Sequence, residues 1–381
     1  MDYTKKYFEL KKCFNQTDKT INVDADIEIA NLPFNSESSW LRIIDEQRQF
    51  KNELPINEKL DSEYFENNHF NYSVFLPKSG KQFNRAIILL HGLNERLWDK
   101  YLPWAYFLAR VTKRPVILFP IAFHMNRGPM SWINAKELAP MLSQRKTKLD
   151  PKSLTYANVA LSSRLTEDPL RFLKSGHQTA EDILQLLQQI EQGLVPPFAK
   201  DTQVDFFAYS IGAFVSQIIF LADYRGHLAN SKLFLFCGGA LFNEMNGTSR
   251  LIMDNIAFEK LLKFYTSDIN NVMKENQLLS SLLTEFPLGK AFYSMLKEDY
   301  HQAWREETIR FIHKQIYAVT LKNDTVIPAL GTQRVLRTLE IVDFPYDYSH
   351  EVPFPVSGKA DQALVNQCFN NVFNKASEFL A

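Results

Sequence analysis

A series of short apolar runs constrains this chain more than any other feature. They are Ala86-Ile87-Ile88-Leu89-Leu90, Val116-Ile117-Leu118-Phe119-Pro120, Gln203-Val204-Asp205-Phe206-Phe207-Ala208, Leu233-Phe234-Leu235-Phe236-Cys237 and Ile316-Tyr317-Ala318-Val319-Thr320-Leu321. Each is bounded by turn residues and too short for a helix, and most are too continuously apolar for a strand with one wet face, so each reads as a buried strand. Between them the apolar period switches to that of a helix: Trp98, Tyr101, Leu102, Ala105 and Leu108 form one such set, and Ile183, Leu186, Leu187 and Ile190 another. Strands alternating with helices call for an α/β fold, a mostly parallel sheet covered by helices on both faces. Tyr72-Ser73-Val74-Phe75-Leu76 alternates like an edge strand, and Thr338 to Phe344 supplies the last strand. Val365, Cys368, Phe369, Val372, Phe373 and Leu380 share one face of a C-terminal helix.

The alternating units occupy residues 71–381. Residues 1–70 mix charged, aromatic and Asn-rich segments without sustained period, which predicts a partly irregular N-terminal extension that adds an edge strand. Two segments interrupt the series. Residues 122–175 form one insertion; the other, 242–314, is predicted to be a helical cap, with Phe258, Leu261, Leu262 and Tyr265 in one register. Its aromatics are expected chiefly to pack on one another. Thr179 with Asp182 three residues on reads as a capping box, and Gly193 with Pro196-Pro197 as the close of that helix.

Composition removes several function classes. With 381 residues and 45% hydrophobic content the chain can bury a large core. Lys+Arg and Asp+Glu both number 43, and no basic run is interleaved with aromatics, so a nucleic-acid partner is not expected. Cys13, Cys237 and Cys368 are few, scattered and odd in number, which argues against a disulfide framework and a cysteine-based metal site. The N-terminus has no signal-peptide core, and no run is long enough to span a bilayer. The expectation is a cytoplasmic protein with reduced thiols, not integral to a membrane. Composition sets no oligomeric state.

In a parallel sheet the ligand site lies at the carboxyl ends of the strands. After Asp205-Phe206-Phe207-Ala208-Tyr209, where apolar strand gives way to helical pattern, Ser210 stands between Ala208 and Gly212. A serine whose hydroxyl is to stand clear of a sharp strand-to-helix turn needs small residues two positions either side. After the first central strand comes His91-Gly92-Leu93, where the glycine permits a tight turn with backbone N–H groups at the sheet's mouth. Asp324 follows the strand ending at Leu321, and His350 follows the last strand. A serine hydroxyl is a poor nucleophile at neutral pH and needs an imidazole to take its proton and an acid to orient that imidazole. His350 is the only histidine after Asp324. Asp343 and Asp347 are alternative acids.

Together, His91-Gly92, Ala208-x-Ser210-x-Gly212, Asp324-x-Val326-Ile327-Pro328 and His350 resemble the α/β-hydrolase superfamily over about residues 71–381. Ala208 departs from the commoner G-x-S-x-G. The resemblance implies Ser210 as nucleophile, His350 as general base and then acid, Asp324 as orienting acid, and the backbone N–H groups of Leu93 and Ile211 as oxyanion hole. It implies cleavage of an ester or related acyl bond of a small molecule through an acyl-serine, with no metal and no organic cofactor. A peptidase or acyltransferase with the same triad, or a non-catalytic binding protein of this fold, is the alternative. His91 is expected to be structural. His124 and Arg127 follow the strand ending at Pro120, so they are expected to reach the site mouth and hold a carboxylate or carbonyl of the substrate.

Overall fold

The computed structural model describes residues 1–38, 60–223 and 225–381. The described residues form a nine-stranded sheet in the order β1-β2-β3-β5-β4-β6-β7-β8-β9. The strands are β1 (Thr20–Asn22), β2 (Ile27–Asn35), β3 (His69–Pro77), β4 (Phe83–Leu90), β5 (Val116–Leu118), β6 (Phe198–Tyr209), β7 (Leu233–Phe236), β8 (Ile316–Leu321) and β9 (Leu339–Val342). From β5 and β4 through to β9 every pairing is parallel, while β3 runs antiparallel to both β2 and β5.

The continuous apolar runs are explained by what covers the sheet. Successive side chains of a strand point to opposite faces, and here both faces are roofed. Ile88, Leu90, Phe206 and Ala208 join the core beneath the helices Leu170–Glu191 and Ile211–Asp223. Ile87, Leu89, Phe207 and Tyr209 join the core beneath Leu102–Thr112 and Gln362–Leu380.

Two local expectations are corrected. Tyr72 to Leu76 is not an edge: β2 pairs with β3 along its length, from Ile27 opposite Pro77 to Asn35 opposite His69, and β1 lies outside β2. The polar positions of β3 are answered by that neighbour, as Ser73 Oγ donates to Asn31 Oδ1 at 2.6 Å. The helix assigned a capping box at Thr179 starts nearer the insertion, at Leu170, so Thr179 and Asp182 are interior. Thr179 Oγ1 instead accepts from Ala122 N, and Asp182 pairs with Arg127, which anchors the turn after β5.

The N-terminal helix Tyr3–Cys13 lies against the C-terminal one, with Tyr3 stacked on Phe369 at 4.5 Å and its N–H donated to Asn366 Oδ1. Residues 39–59 of the N-terminal stretch lie outside the described residues. Segment 122–175 contains the helices Ala135–Leu149 and Val159–Glu167. In segment 242–314 the helix Pro287–Ser294 packs on Ile211–Asp223, and Phe242, Tyr265 and Phe292 close around Phe172 and Phe214. These aromatics therefore extend the core under that layer.

Asp205 is fully buried on β6, with Arg114 Nη2 at 2.6 Å and Arg85 Nη2 at 3.1 Å, and it also accepts from Lys232 N. Removing one partner of such a pair leaves an uncompensated buried charge. Asp205→Ala is expected to lower stability by about 3–5 kcal/mol in urea unfolding; a loss under about 1 kcal/mol would contradict that role for the pair.

Candidate active site

β4 and β6 are hydrogen-bonded neighbours, with Leu90 opposite Ala208, so the turns that follow them start side by side. Ser210 follows β6 with φ of 58°, in the left-handed region that favours glycine. The helix Ile211–Asp223 begins at the next residue. Gly212 donates its N–H to His91 O at 3.1 Å, and a Cβ there would stand 2.8 Å from both His91 O and Leu90 Cβ. The demand for smallness is thus met by backbone contact with the end of β4. Ala208, paired with Leu90 and Leu235, is accommodated.

The structure brings the serine, the aspartate and the histidine together. His350 Nε2 lies 2.7 Å from Ser210 Oγ, and His350 Nδ1 lies 2.7 Å from Asp324 Oδ2. The second carboxylate oxygen of Asp324 accepts from Val326 N and Ile327 N, both at 2.9 Å, which holds the side chain in one pose. Since a carboxylate only accepts, Nδ1 carries the imidazole proton and Nε2 presents its lone pair to the serine. All three residues are buried. Asp343 and Asp347 are exposed, and Asp343 pairs with Lys322.

Other residues hold this arrangement. Tyr209 donates its hydroxyl to the His350 carbonyl, and its ring stacks on the imidazole at 5.4 Å. Lys100 Nζ bonds both Glu95 and the carbonyl of Glu351, and Tyr101 OH accepts from Gly92 N at 2.8 Å. The sequence context of Tyr209 and Lys100 carries no signal of their hold on the His350 loop, because those partners lie 141 and 251 residues away. His91 is fully buried: Ile121 N donates to its Nε2 at 3.0 Å, so Nδ1 is the protonated nitrogen and donates to Gly92 O. Burial first, then the neighbouring His124, hold its pKa well below the ordinary value, as befits a neutral spacer between two strand ends. Among the described residues the N–H groups of Leu93 and Ile211 have no acceptor.

His124 and Arg127 part company. Arg127 is fully buried and donates Nε to Asn67 O, Nη1 to Pro120 O and Nη2 to Asp182 at 2.6 Å. The structure does not bring it to the site mouth, because the helix Leu170–Glu191 supplies its counter-ion inside the fold. His124 lines a small cavity together with Leu93.

Cys237, Asp324 and His350 offer ligand atoms within 4.8 Å of one another. Both imidazole nitrogens are already engaged with Ser210 and Asp324, and burial, with the Asp324 charge, pushes the thiol pKa well above its usual value. A neutral thiol beside an occupied imidazole does not fit a metal site.

The strand order, the serine on its left-handed turn and the Asp-His pair on later loops define the α/β-hydrolase fold. Over residues 1–381 the sequence matches a family described as "Family of unknown function (DUF6051)", and the chain belongs to that family. No curated protein matches it in sequence. A cold-adapted esterase from an Arctic intertidal metagenomic library is similar in structure at 10% identity and a TM-score of 0.41, covering 97% of this chain and 100% of its own. A thermostable esterase from Pseudomonas putida is similar at 10% identity and a TM-score of 0.42, covering 94% and 86%. A peroxisomal alpha-beta-hydrolase from Saccharomyces cerevisiae is similar at 12% identity and a TM-score of 0.42, covering 93% and 90%. No described helix is long and apolar enough to cross a membrane.

Because the atoms facing Gly212 include backbone, a methyl group there must displace a strand end. Gly212→Ala is expected to lower stability by about 1–3 kcal/mol, whereas Ala208→Gly changes it by less than about 1 kcal/mol. Thermal unfolding of both variants checks this, and an undiminished midpoint for Gly212→Ala would refute the close approach.

Proposed function

We propose that the protein is a serine hydrolase that cleaves an ester or related acyl bond of a small molecule through an acyl-Ser210 intermediate. The observation that carries this reading is the continuous path from Ser210 Oγ to His350 to Asp324, with both contacts at 2.7 Å. As Oγ attacks the substrate carbonyl carbon, its proton passes to His350 Nε2, and Asp324 stabilises the imidazolium at Nδ1. Charge developing on the carbonyl oxygen is met by the N–H groups of Leu93 and Ile211. His350 then gives the proton to the departing alcohol oxygen. Water, activated by the same imidazole, attacks the acyl-serine, and Oγ recovers its proton as the acid leaves.

The surroundings favour a small substrate. Ser210 is 4% exposed. The start of the second insertion straps across the loops that carry Asp324, His350 and Leu93: Asn246 N donates to Val326 O, Ser249 Oγ to Glu351, and Leu251 O accepts from Asn94 Nδ2. A groove of about 620 Å³, lined by Leu93, Trp132, Tyr156, Leu251, Ile252 and Val352 among others, runs beside the strap; it reaches the site at Leu93, and the triad side chains are not in its lining. Its mixed apolar lining suits an acyl or alcohol group of modest size.

A fluorophosphonate should label Ser210, and Ser210→Ala should abolish labelling and turnover while the protein stays folded. Peptide mass spectrometry placing the adduct on Ser216 or Ser249 would refute the assignment. Asp324→Asn should lower kcat by on the order of 10⁴, measured against Asp343→Asn, which should not.

With nitrophenyl esters of rising chain length, turnover should peak at short to medium acyl groups, and casein should remain intact. Efficient casein cleavage would favour a peptidase, and no reaction with any of these probes a binding protein.

A further inference from the structure

The loop that carries Leu93 also carries Arg96, a partly buried cation without a carboxylate partner among the described residues. Arg96 Nη2 donates to Asn94 Oδ1 at 3.1 Å and Nη1 to Phe123 O at 3.5 Å, both neutral, while its Nε–H is buried with no acceptor. Among the described residues no carboxylate pairs with it. The neighbouring arginines are treated otherwise: the buried Arg127 and Arg145 and the partly buried Arg164 each reach an aspartate within 2.7 Å. Burial, then the nearby Arg164, hold the Arg96 pKa down to about 10. Arg96 is met only by two neutral oxygens and, at 5.7 Å, the face of Trp132; a buried Nε–H left without an acceptor is costly, and beside a reaction site it points to an anionic acceptor that arrives with a ligand.

A second group in the same place is also unanswered. Arg96 and His124 line a cavity of about 40 Å³ with Leu93, Trp132, Leu165 and Phe172. His124 is 5% exposed and donates Nδ1 to Ala122 O at 2.9 Å, which leaves Nε2 with a lone pair, buried and without a partner. Burial first, then Arg96 and Arg127, hold its pKa down to about 3.

We propose that this cavity receives a carboxyl group of the substrate, a few bonds from the scissile carbonyl. One carboxylate oxygen accepts from Arg96 Nε; the other accepts from His124 Nε2, which takes up a proton from solvent as the anion binds and so becomes a donor. A hydroxyl group would donate to His124 Nε2 and leave the arginine's charge unmet; a carboxylate meets that charge and, with the proton taken up, His124 as well. The position relative to the carbonyl rests on the hydrolase reading, because Leu93, which lines the cavity, is the oxyanion donor of that reading. The charge match does not.

Calorimetric titration of the full-length Ser210→Ala protein with monomethyl glutarate, dimethyl glutarate and the methyl ester of glutaramic acid tests the subsite without turnover. The monoacid should bind about tenfold or more tightly than either neutral compound. Adding Arg96→Gln should bring that ratio close to one, and Arg96→Lys, which keeps the charge without the fork, should retain part of it. Circular dichroism and thermal unfolding verify that each variant folds; if Arg96→Gln does not, Arg96→Lys and His124→Gln supply the comparison. Absence of monoacid binding at millimolar concentration, equal affinities for the three compounds, or a ratio unchanged in the folded variants would overturn the subsite. The hydrolase reading fails separately: lack of Ser210 labelling with the monoacid preference intact removes the reaction and leaves the subsite.

Discussion

The site depends on how closely the helix after Ser210 approaches the end of β4. Gly212 touches Leu90 and His91 with no room for a side chain, and its N–H is donated to the His91 carbonyl. Because that contact is between backbones, the turn with Leu93 and the turn with Ser210 are set relative to each other to within the tolerance of a hydrogen bond. Further non-glycine residues in the left-handed region follow the neighbouring strands: Asn94 after β4, Phe123 and Met125 after β5, and Cys237 after β7. Such conformations persist only where surrounding packing holds them. Here the packing is the doubly covered sheet.

The polar groups around this core fall into two kinds. Asp324, His350, His91, Arg127 and Asp205 each have their hydrogen-bonding capacity met inside the fold, which makes them rigid parts of the scaffold. Arg96 and His124 do not. The same low local dielectric that strengthens the first set makes the unanswered Arg96 Nε–H and His124 Nε2 costly, which is the ground on which they are proposed as groups for a ligand. The strap formed by Asn246 to Met253 belongs to neither kind. It is tied through backbone and short polar side chains to the loops of Asn94, Val326 and Glu351, so its position and that of the triad are linked.

Much of the fold was legible because its signals are local. The buried strands announce themselves as apolar runs, and the helices by their period. β2 carries Asn31 and Pro33 within Ile27–Asn35 and has no such signature; it is a strand because β3 pairs with it. Thr179 and Asp182 look like a helix start because the spacing of a capping box recurs inside helices too, and only the contacts with Ala122 and Arg127 show what these side chains bond. Arg127 sits near His124 in sequence, yet it turns inward to Asp182. Tyr209 and Lys100, which hold the His350 loop, were invisible because their partners lie 141 and 251 residues away.

By itself the sequence determined the alternation of strands and helices, the small residues flanking Ser210, and the chain order of serine, aspartate and histidine. Each is a property of a short window or of residue type alone. Only the tertiary structure decided that Asp324 and not Asp343 or Asp347 faces His350, that the first residues complete the sheet, and which buried arginines have a counter-ion. Those outcomes are set by contacts across neighbouring strands and layers, where distance in space has no fixed relation to separation along the chain.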